Sequence, residues 1–384
     1  MIRASRGRKG FALALAIAAM VVIGTLITGI FFASTQEYRL GRNALLQARA
    51  LTAAELGLLA VATPLPAGRW DPIRFAALAP GATAPPIELL PGDGSIDTVR
   101  VTRLDDVSYL LVSEGRAGSE RGARARRRIA SLVRLRVPSL PAFAALTVRG
   151  PLDIADSALV DGSDSTLAGA PCPSPGAALP GIATSDSTGV STAACTTPPC
   201  VLGAPAVSAS TAAADTASYF VFGDTDWREL SGSADKVVGP TPIAGLAPSL
   251  NGDGSCNVGD PRNWGDPSRG AVAGGCEAYY PVVYAPGDLH LAGGVGQGVL
   301  LVEGDLELSG GAQFFGPVVV RGRLTTSGAG GKITGAVLVA NSAAARNVVG
   351  GNTHIRYSSC ALARALAGSA RPAGGAAGSW NELF

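Results

Sequence analysis

The run from Phe11 to Phe32 constrains this chain more than any other feature, because it holds 22 residues without a charge. Crossing the hydrocarbon of a bilayer takes about 20 apolar residues in a helix, whereas a secretory signal has an apolar core of roughly 7 to 15 followed by a small-residue cleavage site. The run is long enough to span. Arg3, Arg6, Arg8 and Lys9 precede it and the near-neutral stretch ASTQEY follows, so the charge asymmetry puts the N-terminus in the cytoplasm and everything after Phe32 outside.

Helical spacing continues past the span. Leu40, Ala44, Leu45, Ala48, Leu51, Leu58 and Leu59 recur at helical intervals with Glu37, Arg42, Arg49 and Glu55 between them, and TPLP at 63–66 stops the pattern. Together the two stretches predict one helix over 11–63, long enough to stand well clear of the membrane, with Gly41 as its expected weak point.

Beyond it the composition changes the argument. The chain of 384 residues carries 51 glycines and 26 prolines, well above the usual share of about 12%, with only 5% aromatic residues. Glycine and proline both disfavour helix interiors, so the exported part reads as short strands of Val, Leu and Ala joined by tight turns. A net charge of +2 lends no support to a nucleic-acid partner. Cys172, Cys195, Cys200, Cys256, Cys276 and Cys360 all follow the span, an even count in an oxidising compartment. With only His290 and His354 and no C-x-x-C pair, disulfides are favoured over zinc, and no metal is expected. Cys256 with Cys276 is the favoured pair because it would staple a loop rich in Gly and Asp; the other pairings stay open.

The segments IDTVRVTRLDD, VSYLLVSEG and RIASLVRLRV predict three or four antiparallel strands, in a β-unit over 64–140. The arginines crowded between Arg121 and Arg128 read as a solvated turn and the charged face of an edge strand, with an anionic partner as the alternative. Residues 163–218 are low in complexity and are expected to be an insertion lying on a core built by others. A short helix is expected over Trp227 to Val237, opened by Asp224 or Asp226.

Two interleaved repeats then share one period. GDLHL at Gly287, GDLEL at Gly304 and GRLTT at Gly322 recur at spacings of 17 and 18, while GVLLV at Gly298, GPVVV at Gly316 and GAVLV at Gly335 recur at 18 and 19. This predicts a β-solenoid (β-helix) head over 141–384, in which Leu289, Leu306 and Leu324 form one inward column and Leu301 neighbours Val319. A further coil is expected to begin near Leu146, whose segment LTVRGPLDI resembles VVVRGRLTT. The valine-rich strands are apolar on both faces, so their outer face needs a cover, either CALARALAG at 360–368 or the stem helix.

Asp288, Glu303, Asp305 and Glu307 are the carboxylates a membrane-anchored β-helix carbohydrate-active enzyme would use. Arg323 stands over Asp305 in an ion-pair position, and charged ladders are the ordinary solvated face of such a stack, so no catalytic residue is assigned and a non-enzyme is expected. His290 reads as an exposed ladder residue and His354 as a loop residue. NGDGS at 251–255 and DGSDS at 161–165 have part of the spacing of a calcium loop, yet no glutamate closes either, and turn chemistry accounts for both. No cofactor is expected.

With these residues placed, RGRKGFALALA, the long apolar helix and QEYRLGRNALLQARALTAAELGL resemble the N-terminal segment of the type IV pilus assembly family PilX, pilin-like minor subunits. The resemblance implies a basic leader over 1–10, cleavage between Gly10 and Phe11 by a prepilin peptidase, and retention of the apolar helix, first in the inner membrane and then among other pilin subunits. Major pilins carry glutamate five residues after the cleavage glycine; here that position is Leu15, which suits a subunit at a filament tip. The expectation is a single-pass minor pilin displaying its head for structural or adhesive contact, with a surface or glycan ligand as a further partner. A pseudopilin of a type II secretion system is the alternative.

Overall fold

A computed structural model of the chain describes residues 11–63, 70, 72–89, 96–118, 124–166, 172, 174–267, 275–341, 345–373 and 380–383. The leader 1–10, Gly10 included, lies outside the described residues, as does Arg121.

Phe11–Ala62 is one α-helix of 52 residues, about 78 Å long. It runs unbroken through Gly41, so the expected weak point is no break in the helix. None of its most apolar stretch is buried against the other described residues. Leu13, Met20, Ile23, Leu26 and Phe31 are all exposed, whereas Ala50, Ala53, Ala54, Leu58 and Val61 are buried. Only the last turns of the helix therefore dock on the rest of the protein.

They dock on an antiparallel sheet in the order Ile87–Leu89, Ile96–Arg103, Ser108–Gly118 and Arg124–Arg136. Small residues let the two surfaces meet. A Cβ on Gly115 would overlap the backbone of Ala50 and Ala54, and one on Gly57 would overlap the Asp97 carboxylate. Trp70 closes the far end of this core, tilted on Phe75 at 4.9 Å and edge-on to Tyr109 at 5.1 Å between ring centroids. The β-unit expected over 64–140 is not closed within those limits. Arg371–Pro372 and Asn381–Glu382, from the far end of the chain, add to the free edge of Arg124–Arg136, pairing at Leu135–Arg136 and Ile129–Ala130.

The rest is mostly β, with parallel sheets. Each repeat passes through three short strand segments, here called faces A, B and C. On face A, Leu289 pairs with Leu306 and Leu306 with Leu324. On face B, Gln313 pairs with Lys332 and Lys332 with His354. On face C, Leu301 pairs with Val319 and Val319 with Leu338. The inward column of Leu289, Leu306 and Leu324 is thus observed, each residue at 1% exposure or less. Gly298, Gly316 and Gly335 mark the bend from face B to face C, with φ of +111°, +132° and +150°. Cβ atoms at Gly316 and Gly335 would strike the carbonyl of the neighbouring repeat, so the bend needs glycine.

Stacking order departs from chain order. Val337 pairs with Leu146, Asn347 with Leu152 and His354 with Leu159, so the segment 146–161 continues the stack beyond its C-terminal repeat. Ile182–Thr184, Val190–Cys195, Val201–Leu202 and Val207–Ala209 then extend faces C, A, B and C again. The low-complexity stretch expected as an insertion supplies strands of the stack itself. One or two apolar residues per strand suffice there, because a parallel strand at the end of a stack needs only an inward side chain: Ile182 is fully buried and Val201 nearly so.

The outer side of face C is covered as its two-sided apolar pattern requires. Ser359–Gly368 is helical, capped by Ser358, whose side chain accepts from Ala361 N, and its Leu362 and Ala365 pack with Val299, Leu301, Val319 and Leu338. Tyr219, Phe222 and Leu230 complete the cover. The stem helix takes no part in it. Helix formation after Asp226 stops at Gly232, short of the expected Val237, with the Asp226 carboxylate accepting from Glu229 N.

Candidate functional site

Two surfaces carry features that packing alone does not require: the bare apolar stem and the outer faces of the stack. The stem leaves the sheet near Ala50, and among the described residues none of its most apolar window is covered. Phe11 begins the helix. An apolar cylinder of this length is unstable in water and needs lipid or other helices around it.

The arginines near the base of the stem are engaged within the protein. Glu114, only 2% exposed, accepts from Arg116, Arg126 and Arg128 at 2.7, 2.5 and 3.0 Å. Burial alone would raise its pKa, but the hydrogen bonds from Arg128, Arg116 and Arg126 outweigh it and hold the carboxyl down at about 2. Arg127 bridges Glu382 at 2.6 Å and Gln47 of the stem at 3.0 Å, tying the C-terminal strand, the sheet and the helix together. Arg126, Arg127 and Arg128 thus serve the fold, which removes the main support for an anionic partner at this site.

Asp97 escaped the sequence reading. It lies on the sheet face against Gly57, is 1% exposed, and accepts from Ser113 Oγ at 2.6 Å through one oxygen, while the other has no partner among the described residues. Burial pushes its pKa up to about 6. A glycine in the helix opposite a carboxylate in a strand was the only available clue, and nothing in either pattern pairs the two.

The four head carboxylates singled out from the sequence each lie beside a group of a neighbouring repeat. Asp305 accepts from Arg323 Nε and Nη2 at 2.9 and 2.7 Å and from Arg323 N at 2.7 Å. Asp288 accepts from Asp305 N at 2.8 Å. Glu303 pairs with Arg321 and accepts from Trp227 Nε1 at 3.0 Å, while Arg321 lies over the rings of Phe220 and Trp227. Glu307 lies 3.9 Å from His290, whose Nε2 is 2.9 Å from Ser309 Oγ. Each group belongs to a ladder between adjacent repeats. His354 lies on a strand of face B instead of the expected loop.

Both acidic turns use their side chains on themselves or on the seam. Asp253 Oδ1 accepts from the N and Oγ of Ser255. Asp161 accepts from Ser163 N, and Asp164 reaches across to Ser359 N and Oγ.

Three disulfides account for all six cysteines: Cys172 with Cys360, Cys195 with Cys200, and Cys256 with Cys276. Cys256 and Cys276 are 20 residues apart, and beside them the fully buried Asn263 donates to Ser249 O and Asn257 O at 3.0 and 2.9 Å. Cys172–Cys360 spans 188 residues and joins the segment after 146–161 to the covering helix. No spacing rule could have selected that pair.

No family model matches this chain. No curated protein matches it. Among solved structures, the crystal structure of the competence-associated pilin ComZ from Thermus thermophilus is similar at 12% identity, covering 100% of this chain and 98% of that one, with a TM-score of 0.19. Superposition at that level does not define a shared fold.

Proposed function

We propose that this chain is a pilin-like minor subunit of a type IV pilus, anchored in the inner membrane by its stem until assembly and carrying a β-solenoid head outside it. One observation carries the reading: a continuous helix of 52 residues has its N-terminal part wholly uncovered, while its C-terminal turns are locked into an antiparallel sheet. That division suits an element that first lies in lipid and then packs among the stems of other subunits, since both surroundings replace water around the same side chains. An anchor alone would not need to be continuous with a docked core helix. The PilX-like N-terminal residues support the same assignment and add the prepilin peptidase as processing partner.

In this reading the head is for display and adhesion, without a catalytic role. The support is that Asp288, Glu303 and Asp305 are each held by a neighbouring repeat, whereas glycoside hydrolysis needs two carboxylates facing one bond. A tip position is supported by Leu15 in place of the glutamate that major pilins carry. The test is fractionation of the native host: filaments sheared from the cell surface should contain the chain, detected by antibody to its head. Recovery from washed inner membranes alone, with none in filaments, would leave the reading without its central support.

A further inference from the structure

Face B presents, beside a histidine, two exposed cations that make no ion pair among the described residues. Lys332 and His354 are direct neighbours on adjacent parallel strands, and Arg356 follows His354 two residues along, on the same outward side. With adjacent strands about 4.8 Å apart and two residues spanning about 6.6 Å, the three heads fall within one small area. Elsewhere on the stack three arginines hold carboxylates: Arg321 with Glu303, Arg323 with Asp305, Arg346 with Asp153. Among the described residues neither Lys332 nor Arg356 makes an ion pair, although both are exposed.

The electrostatic surroundings agree. Burial, and then the charges of Arg356 and Lys332, hold the His354 imidazole below its ordinary value, with no carboxylate acting in the other direction. Asp161 is the direct register partner of Arg356 on the next strand; its Oδ1 accepts from Ser163 N at 2.9 Å, and among the described residues it makes no ion pair with Arg356. Gln313 and Lys332 share one row with His354, and Phe315, Thr334, Arg356 and Asp161 share the next, so Asp161 is the acid on this part of the face. Phe315 and Thr334 are half-buried.

We infer that this face, formed by Gln313, Phe315, Lys332, Thr334, His354 and Arg356, is a docking surface for an acidic polysaccharide. Its charge selects the class of ligand. Arg356 presents a planar fork to a carboxylate and Lys332 a point charge to the same or the next one. Gln313 and Thr334 offer hydrogen-bonding groups of the kind that sugar hydroxyls satisfy, and the exposed part of Phe315 offers an apolar edge to a sugar ring. An extended polymer fits because the face repeats at the strand spacing along the stack. A nucleic acid is the less suited polyanion: the patch holds few cations, the single aromatic ring is half-buried, and the whole chain has a net charge of only +2.

The inference rests on the proposed display role of the head, and its test is separate from that of the stem. The full chain in detergent micelles, with carbon-13 in its histidine rings, gives two imidazole signals, since His290 and His354 are its only histidines. His290 lies on face A and serves as the internal reference. Polygalacturonate fragments should move the His354 signal and raise its pKa, leave His290 in place, and bind more weakly as salt is added. In Lys332→Ala/Arg356→Ala, binding should fall by at least about tenfold while the His290 signal reports an intact fold. A stationary His354 signal, undiminished binding by the double variant, or equal binding of neutral dextran would each overturn the inference. Tighter binding of a single-stranded oligonucleotide would overturn the choice of polysaccharide. None of these outcomes bears on where the N-terminus is processed.

Discussion

Leu146 lies in register beside Val337 on face C, so the first strand of the stack to be synthesised is seated against nearly the last. The chain enters the stack in the middle, builds outward to Val207–Ala209, crosses to the opposite end and winds back. The seam between the two halves is therefore closed only when residues 336–357 are in place. Ser165 N and Oγ donate to Tyr357 O there, Asp164 caps Ser359, and Cys172–Cys360 adds a covalent tie.

Removing that tie should weaken the head. Closing a loop of this length is worth about 5 kcal/mol in the chain-entropy model, and measured values for native disulfides run about 2–5. Cys172→Ser/Cys360→Ser should lower the urea midpoint by a corresponding amount, while Cys195→Ser/Cys200→Ser, which opens a far shorter loop, should cost less. Equal losses for the two pairs would contradict the seam's role.

Leu306 is held between Leu289 and Leu324 at 1% exposure. Leu306→Ala should cost about 2–5 kcal/mol, since neighbouring repeats fix the volume left behind. Leu306→Asp should abolish the cooperative transition of the head, because no cation lies within the column to meet the charge. Circular dichroism melts of the two variants decide this, and near-native melting of Leu306→Asp would mean the column is not a core.

Asp97 makes docking of the stem depend on pH. Its carboxyl titrates at about 6 when folded against an ordinary 3.8, so between those values the native state holds the proton that the unfolded chain has lost. Stability from this group is fully present below the lower value and is lost as pH rises through the upper one, by at most about 3 kcal/mol. Asp97→Asn should flatten the fall in stability between about pH 4 and pH 7 measured by urea unfolding. Glu114 works in the opposite sense: its contribution is present above 4.5 and lost as pH falls toward about 2. A slope unchanged in Asp97→Asn would show that the carboxylate is solvated.

At Gly115 the sheet touches the backbone of the stem at Ala50 and Ala54. Gly115→Val should push the helix off the sheet and cost roughly 1–3 kcal/mol or more, with faster proteolysis near residue 50 as the readout. Gly41→Ala, where nothing lies near the added methyl, should be neutral or slightly stabilising.

The parts of the fold that were legible in advance are those whose partners lie one period away. Leu306 and Leu324 each stand two residues after a repeat glycine, Gly304 and Gly322, so their pairing follows from the repeat. The pairing of Leu146 with Val337 could be sensed only as a likeness between segments, because nothing local says which end of a stack a distant strand joins. Ile182 and Val207 were hidden by the glycine, serine and proline around them. Two-residue strands such as Asn381–Glu382 have no period to read at all. At the base of the stem, the charge pattern showed the arginines but not that Glu114, across the sheet, would gather three of them.

The central claim concerns the first element of the chain. A pilin-like subunit must lose its basic leader before its helix can leave the bilayer and pack among neighbours, so the mature protein should begin at Phe11, with the apolar helix intact behind it. The decisive measurement is mass spectrometry of the N-terminal peptide from the native host, with Gly10→Val as the unprocessed control. Phe11 as the first residue, absent in Gly10→Val, is the predicted result; an intact Met1, or a start beyond Phe32, would contradict it.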